Sequence, residues 1–228
     1  YQQLVLINKA FAEGTVKDNA VLKDSLSYAK ENGKKVHLIG LVSDGGIHSH
    51  INHLKGLIDF FSSENFNDLF IHAFSDGRDT DPQSGKAFIE DLQNFTKAHT
   101  GNIASVTGRY FAMDRDFKWD RIKLAFDAMV NAEGEKTDDL LEAISTSYQN
   151  GVTDEFIKPI INQQVDGKIN EGDVVININF RTDRGRQITR ALTQEAFPDF
   201  GMVPIDMKYI TLTEYDATYK GIDVLFPS

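Results

Sequence analysis

The sequence predicts a three-layer α/β/α fold around a mostly parallel sheet of about five strands. Short runs of branched apolar residues, typical of buried strands, alternate along the chain with longer segments of helical periodicity. Such alternation builds an open sheet whose parallel strands are joined by right-handed crossovers. No internal repeat or low-complexity tract divides the 228 residues, so we expect a single domain over residues 1–228.

Five segments are predicted to form the strands of this sheet: 35–42, 69–74, 103–106, 174–180 and 209–213. They are short and rich in branched or aromatic residues, as buried strands are. Segment 174–180 differs from the others because it alternates apolar and polar residues over part of its length. This pattern favours a position near an edge of the sheet or near a ligand.

Six segments are predicted as amphipathic helices: 19–32, 51–61, 84–99, 119–132, 138–149 and 185–195. Their apolar residues recur three or four positions apart, as Leu54, Ile58 and Phe61 do in the second helix. The first helix is followed by Gly33, a residue type common at helix C-caps. The stretch 134–172 is the least regular part of the chain, and we expect an insertion there rather than a second core.

Composition excludes several classes of function. The formal net charge of −10 argues against the broad basic face that non-specific nucleic-acid binding requires. Zero Cys excludes disulfide bonds and thiolate metal sites and fits a reducing, cytoplasmic compartment. The apolar runs fall far short of the roughly 18 residues of a membrane span. The chain begins at Tyr1 without a secretory leader, and we expect a fragment of a longer polypeptide.

Four loop segments carry the most informative residues: 42–50 (VSDGGIHSH), 74–82 (FSDGRDTDP), 107–116 (TGRYFAMDRD) and 179–187 (NFRTDRGRQ). They hold six of the eight arginines, whereas the lysines are spread along the chain. Each segment follows a predicted strand, and ligands of open α/β sheets bind at the carboxyl ends of the strands. Because Arg recognises carboxylate and phosphate in a planar, bidentate way, these loops predict one anion site.

The first segment has two interpretations. Gly45 and Gly46 allow the backbone to approach a ligand, but a strand–helix turn with capping residues explains them equally well. His48, His50 and His53 suggest a metal, but their spacing does not place three rings on one helix face. We therefore predict no metal site in this chain.

The second segment contains three aspartates and one arginine. Helix capping accounts for one carboxylate, for which Asp81 is the candidate, and leaves Arg78 and Asp79 without a structural role. An arginine beside an aspartate can hold an anion while the carboxylate moves a proton. We therefore predict a functional role for Arg78 and Asp79.

The remaining seven arginines divide into three groups. Arg109 and Arg115 either bind the anion or form weak surface ion pairs with Asp114 and Asp116. Arg181 and Arg184 share one side if their segment begins a helix. Three arginines are predicted to be solvated or paired elsewhere, namely Arg121, Arg186 and Arg190.

No dinucleotide-binding, Walker A or nucleophile-elbow motif is present in the sequence. The residues thus predict anion recognition with one acid/base and no activated nucleophile. Two alternatives remain, a stand-alone binding module for small phosphate or carboxylate anions and, less favoured, a stand-alone phosphatase.

Taken in order, the four segments resemble the motifs L-x-S-D-G-G-V-H-S-H, D-G-R-D-T-x-P, G-R-Y-x-A-M-D-R-D and F-R-x-D-R-x-R-Q of the cofactor-independent (2,3-bisphosphoglycerate-independent) phosphoglycerate mutases. The enzymes of that family have a phosphatase-like domain with two Mn²⁺ ions and a serine nucleophile, into which a substrate-binding domain is inserted. The resemblance covers nearly the whole chain and implies the inserted domain only. It implies that this chain binds no cofactor itself and has the phosphatase-like domain of the same polypeptide as its partner.

The resemblance also implies which residues bind the substrate. The matching positions are His48, Arg78, Asp79, Arg109, Arg115, Arg181 and Arg184. Asp79 corresponds to the residue that carries a proton between the 2- and 3-hydroxyls of glycerate, and the arginines hold the carboxylate and phosphate. The implied reaction interconverts 3-phosphoglycerate and 2-phosphoglycerate through a phosphoserine in the other domain.

Overall fold

The computed structural model describes residues 2–228, and this part of the chain contains eight α-helices and eight strands. The helices are α1 (Gln2–Glu13), α2 (Ala20–Asn32), α3 (Ile51–Ser63), α4 (Gly85–Ala98), α5 (Arg109–Ala112), α6 (Trp119–Asn131), α7 (Leu140–Gln149) and α8 (Arg186–Thr193). The strands are β1 (Val36–Leu41), β2 (Leu69–Ser75), β3 (Asn102–Gly108), β4 (Glu135–Thr137), β5 (Ile160–Asn162), β6 (Val174–Asn177), β7 (Lys208–Thr211) and β8 (Ile222–Val224). No helix in residues 2–228 is both long and apolar enough to cross a bilayer.

The strands form one sheet in the order β4-β5-β3-β2-β1-β6-β7-β8. All neighbouring strands are parallel except β3 and β5, which are antiparallel. The predicted α/β class and mostly parallel sheet are confirmed, but the expected number of five strands is wrong. The three additional strands, β4, β5 and β8, have three residues each and lie at or beside the sheet edges. Segments this short show no recognisable periodicity in the sequence.

Helices pack on both faces of the sheet, because successive residues of a strand point to opposite sides. Leu38 of β1 belongs to a hydrophobic cluster with residues of α2, α3, α4 and α7. Ile39, the next residue, belongs to a second cluster with residues of α6 and α8. The sheet is therefore the middle layer of three.

The stretch 134–172, expected as an insertion, is part of this sheet and of its core. It contributes β4, α7 and β5, and Ile144, Ile157 and Ile160 are almost fully buried in the first cluster. Its irregular sequence reflects short elements at a sheet edge rather than a separate unit.

Segment 174–180 lies inside the sheet, so the prediction of an edge position is wrong. Its strand β6 is completely buried between β1 and β7. The polar residues that suggested an edge are satisfied internally. Asn177 Nδ2 donates to the Tyr209 hydroxyl at 3.2 Å, and Asn179 Oδ1 accepts from the Leu41 amide at 3.0 Å. Beyond Asn177 the chain leaves the strand and enters the loop with Arg181.

Helix α1 has no counterpart among the predicted helices. Ile7 is its one fully buried residue, whereas Val5 and Leu6 are 59% and 63% exposed. Apolar residues on the exposed side blur the amphipathic pattern on which the sequence-based prediction depends.

Candidate anion-binding site

The four loops, three of which carry arginines, follow β1, β2, β3 and β6, which are adjacent parallel strands. Their carboxyl ends therefore meet at one edge of the sheet. Two of the loops pack closely at Gly45, where an added Cβ would lie 3.0 Å from Asp79 Cβ. Gly46 has a φ of +74°, which favours glycine. Both glycines thus serve loop packing.

A buried ion cluster forms the centre of this edge. Arg109 Nη1 donates to Asp76 Oδ1 at 2.9 Å and to Asp79 Oδ2 at 2.8 Å. The Arg109 and Asp76 side chains are 3% and 1% exposed, whereas Asp79 is 16% exposed and faces the open side. One guanidinium nitrogen therefore bridges two carboxylates that come from the same loop.

Asp76 organises the loop that carries Asp79. Its Oδ1 accepts from the amides of Arg78 and Asp79 at 3.1 and 3.0 Å, and its Oδ2 accepts from the Ser43 hydroxyl at 2.6 Å. Burial alone raises the pKa of Asp76, but the Ser43 and amide hydrogen bonds together with Arg109 outweigh burial and lower it. Asp76 is therefore a charged residue that fixes the loop, with no free oxygen for a ligand.

His48 lies beside Asp79 with unused ring nitrogens. Its Nε2 is 3.9 Å from Asp79 Oδ2, and its buried Nδ1 has no hydrogen-bond partner among the described residues. Burial first, and then the charge of Arg109, lower the pKa of His48 to about 4. The ring is thus neutral at pH 7 and can both donate and accept a hydrogen bond. The His48 carbonyl accepts from the amides of Phe180 and Arg181 at 2.8 and 3.3 Å, which joins the first and fourth loops.

Asp183 bridges two arginines from distant parts of the chain. Arg115 Nη1 donates to Asp183 Oδ2 at 2.7 Å, and Arg181 Nε lies 3.1 Å from Asp183 Oδ1. Both guanidiniums are about half exposed, at 45% and 49%, and keep unpaired N–H groups. Burial raises the pKa of Asp183, but the Arg115 hydrogen bond and the Arg181 charge outweigh it and lower the pKa.

Arg184 and Arg78 complete the cluster. Arg184 Nη1 donates to the Met113 carbonyl at 3.3 Å and has no carboxylate within ion-pair distance among the described residues. Burial lowers the pKa of Arg184, and the charges of Arg115, Arg109 and Arg78 lower it further. Arg78 is 58% exposed and pairs loosely with Glu155 at 3.4 Å.

The alternative in which Arg109 and Arg115 pair with Asp114 and Asp116 is wrong. Their carboxylate partners are Asp76, Asp79 and Asp183. Asp114 is instead buried inside its own turn, where it accepts from backbone amides. The structure therefore brings all seven residues that the resemblance implies to one edge of the sheet, with Arg109 as an internal bridge and the other arginines at the open side.

The three other arginines have other roles. Arg186 Nε donates to the Tyr215 carbonyl at 2.8 Å, and Arg190 pairs with Glu195 at 2.9 Å, as predicted. Arg121 is more than a solvated surface charge, because it lies 4.1 Å from the centre of the Tyr110 ring and 3.4 Å from Asp114.

His48, His50 and His53 have separate surroundings. His50 Nδ1 accepts from the Asn52 amide as the N-cap of α3, and His53 Nε2 lies 2.8 Å from Asn8 Oδ1. Within residues 2–228, no three His, Asp or Glu side chains converge as a metal ion requires. That this chain binds no cofactor stays a prediction.

Sequence reasoning missed three residues at this edge: Ser43, Asp76 and Asp183. The capping interpretation of Asp81 is wrong, because the N-cap of α4 is Ser84, and Asp81 Oδ1 accepts from the Gln83 amide at 3.0 Å in the turn before the helix. That interpretation also left Asp76 unexplained. A signal was available, since Asp76 directly follows the apolar strand β2 and a buried carboxylate there needs a cationic partner. In the sequence, Asp183 stands between Arg181 and Arg184 and resembles an ordinary surface residue, because nothing nearby indicates that Arg115 is its partner.

Comparison with known proteins gives a consistent result. A family model of the BPG-independent PGAM N-terminus (iPGM_N) matches residues 7–217. The chain is 50% identical over 227 residues to a 2,3-bisphosphoglycerate-independent phosphoglycerate mutase of Bacteroides thetaiotaomicron. It is 45% identical over 231 residues to the protein of that name from Clostridium acetobutylicum. Each alignment covers 99% of this chain but only 45% of the relative.

A solved structure shows the same fold. The crystal structure of Leishmania mexicana phosphoglycerate mutase at low cobalt concentration matches with a TM-score of 0.88 and 30% sequence identity. The match covers 99% of this chain and 44% of that chain. This chain therefore spans less than half the length of the relatives that it matches.

Proposed function

The chain belongs to the BPG-independent PGAM N-terminus family, and on that premise we propose that it is the substrate-binding domain of a phosphoglycerate mutase. The complete polypeptide interconverts 3-phosphoglycerate and 2-phosphoglycerate. Residues 1–228 act as a single domain that binds the substrate and supplies an acid/base. The observation that carries this proposal is the group of exposed arginines around Asp79 at one sheet edge.

The arginines supply the recognition of the substrate. Phosphoglycerate carries a phosphate and a carboxylate, and both anions match the planar fork of a guanidinium. Arg78, Arg115 and Arg181 are about half exposed and retain free N–H donors, and Arg184 has no carboxylate partner. Together they hold the two ends of the substrate so that glycerate reorients without leaving the site.

Asp79 supplies the proton transfer. Its 16% exposed carboxylate is held by Arg109 on one side and faces His48 on the other. A carboxylate fixed in this way can take a proton from one glycerate hydroxyl and return it to the other. The neutral His48 ring gives a hydroxyl a further hydrogen-bond partner without adding charge.

The phosphoryl group is carried by a serine that lies outside these residues, and two Mn²⁺ ions belong to the same missing part. The described residues do not fit those ions, because no group of three potential ligands converges among them. No step on this chain therefore involves the metal. The phosphatase-like domain of the same polypeptide is the partner, and the place of the reaction in glycolysis assigns the protein to the cytoplasm.

The proposal is tested by measuring 3-phosphoglycerate turnover with the full polypeptide and with residues 1–228 alone, both with added Mn²⁺. We expect turnover by the full polypeptide and none by the fragment. Turnover by the fragment would contradict the division of labour. A parent sequence without a serine and a metal-ligand set would instead favour the stand-alone anion-binding module.

A further inference from the structure

We propose that Gln187 is a positioning residue that fixes Arg115 relative to Arg181 and Arg184. This inference rests on the proposed function, because it names what holds the arginines of the site at their mutual distances. Gln187 ends the fourth motif, and neither the resemblance nor the substrate gives it a role. Its side chain is 4% exposed.

The Gln187 amide makes two hydrogen bonds to the turn that carries Arg115. Its Nε2 donates to Asp114 Oδ2 at 2.7 Å, and its Oε1 accepts from the Phe117 amide at 2.8 Å. A primary amide donates through its nitrogen and accepts through its oxygen side by side. The two bonds reach residues on both sides of Arg115.

Asp114 forms the other half of this contact. Its Oδ2 also accepts from the amides of Asp116 and Lys118 at 3.1 and 2.9 Å, so one buried oxygen closes the turn around Arg115. The Arg121 guanidinium lies 3.4 Å from Asp114 Oδ1 and balances its charge. We call the contact between Asp114, Gln187 and the Phe117 amide the 114–187 clamp.

The backbone of the turn indicates that the clamp imposes this conformation. Phe117 has a φ of +57° although it is not glycine, and its side chain is 65% exposed. The left-handed conformation is sterically unfavourable for such a residue. An exposed ring offers little packing to offset that cost, whereas the Gln187 bond to the Phe117 amide holds the residue there.

The clamp links the two halves of the arginine cluster. Arg115 and Asp183 are 68 residues apart in the sequence, and Gln187 lies in the segment that holds Arg181, Asp183 and Arg184. With Gln187 in place, the Arg115 side chain leaves its turn toward Asp183 and reaches it at 2.7 Å. Without it, the turn can relax, and Arg115 no longer has a fixed distance from the arginines of the other segment.

The test is a double-mutant cycle on the Michaelis constant of the full polypeptide for 3-phosphoglycerate. Gln187→Met keeps the length of the side chain and removes both hydrogen bonds. We expect KM to rise about tenfold, at the low end of the loss expected when Arg115 no longer makes its charge-assisted hydrogen bonds to the ligand. In the Arg115→Ala background, the same change should have no further effect, because Gln187 acts through Arg115. If Gln187→Met raises KM equally in the unchanged protein and in the Arg115→Ala variant, the proposal is overturned.

Thr189→Val is the matched control on the same helix. Thr189 is fully buried and bonds the Tyr209 hydroxyl at 2.8 Å, away from the clamp. We expect it to change KM by less than about twofold, as a site that does not contact the arginine turn should. A tenfold rise in KM with Thr189→Val would show that any loosening of α8 raises KM, and it would overturn the proposal.

Amide hydrogen exchange without ligand separates this inference from the proposed function. We expect Gln187→Met to speed exchange at residues 115–118, whereas Thr189→Val leaves them protected. If Arg115→Ala itself leaves KM unchanged, the proposed substrate site is wrong. The 114–187 clamp is then tested by the hydrogen-exchange measurement alone. Unchanged exchange at Phe117 in Gln187→Met would overturn the clamp in every case.

Discussion

Arg109 Nη1 lies 2.8 Å from Asp79 Oδ2, so the proposed acid/base is held by a buried cation before any substrate arrives. The same nitrogen bonds Asp76, whose other contacts shape the loop from which Asp79 projects. Arg109 thus orients Asp79 rather than waiting free for an anion. This separates the arginines into one that organises the site and others that face the ligand.

The first prediction concerns stability. Arg109→Met leaves the 1% exposed Asp76 carboxylate without its cation, and we expect the free energy of unfolding to fall by about 3–5 kcal/mol. Arg115→Ala removes a half-exposed ion pair and should cost less than about 1 kcal/mol. Urea unfolding of both variants measures the difference, and equal losses would contradict a buried organising role for Arg109.

The second prediction concerns catalysis. Asp79→Asn retains an oxygen that accepts from Arg109 but cannot take up a proton, so the loop keeps its shape. We expect kcat of the full polypeptide to fall by roughly 100-fold or more, the range for loss of a general acid/base. The affinity for 3-phosphoglycerate should change little. A variant that keeps near-normal kcat would exclude Asp79 as the proton carrier.

The third prediction concerns substrate affinity. Arg181→Ala and Arg115→Ala each remove charge-assisted hydrogen bonds to the ligand, and each should weaken binding by roughly 1.5–3 kcal/mol. Arg190→Ala is the control, because Arg190 pairs with Glu195 outside the cluster and should be nearly neutral. Isothermal titration with 3-phosphoglycerate compares the three variants, and similar losses in all of them would refute a localised site.

The fourth prediction concerns pH. Burial lowers the pKa of His48 and of His53 to about 4 in the folded protein, compared with about 6.5 for an unperturbed histidine. The unfolded chain therefore binds more protons between these values, and stability should fall as the pH drops from about 6.5 toward 4. Each ring contributes up to about 1.4 kcal/mol per pH unit in that window.

Urea unfolding midpoints at several pH values between 7.5 and 4.5 test this dependence. His53→Gln removes one titrating group while keeping a donor for Asn8, so its stability should depend less on pH than that of the unchanged chain. His37 and His72 are also buried and shifted in the same direction, so part of the dependence should remain. A stability that is constant between pH 7 and 5 would contradict the buried neutral histidines.

The sequence predicts best those helices and strands in which buried apolar residues recur over several turns or several strand positions. Helix α2 was predicted to within one residue of its start, because Asn19 caps its amino end and Gly33 its carboxyl end. Strands β4 and β5 have only three residues and pair through distant contacts, which no local pattern records. For β6, alternation favoured a position near a sheet edge or a ligand, whereas the strand lies inside the sheet and Asn177 is buried with a bond to Tyr209 of the neighbouring strand.

Contacts between residues distant in the sequence also limit what could be predicted of the candidate site. Arginines that follow strands could be assigned to one edge from the α/β topology alone. The partners of Arg109 and Arg115 could not be assigned, because Asp76 and Asp183 become neighbours only through the sheet order. The sequence therefore indicates the chemistry of the site, while the division between organising and ligand-facing arginines comes from the structure.

The most direct test of the central claim is a titration of 3-phosphoglycerate into the full polypeptide with ¹⁵N-labelled arginine side chains. Inorganic phosphate and glycerate serve as controls for each half of the ligand. We expect the signals of Arg78, Arg115, Arg181 and Arg184 to shift together, while those of Arg186 and Arg190 do not. Saturable binding that leaves these four signals in place and moves others would contradict a phosphoglycerate site at this edge of the sheet.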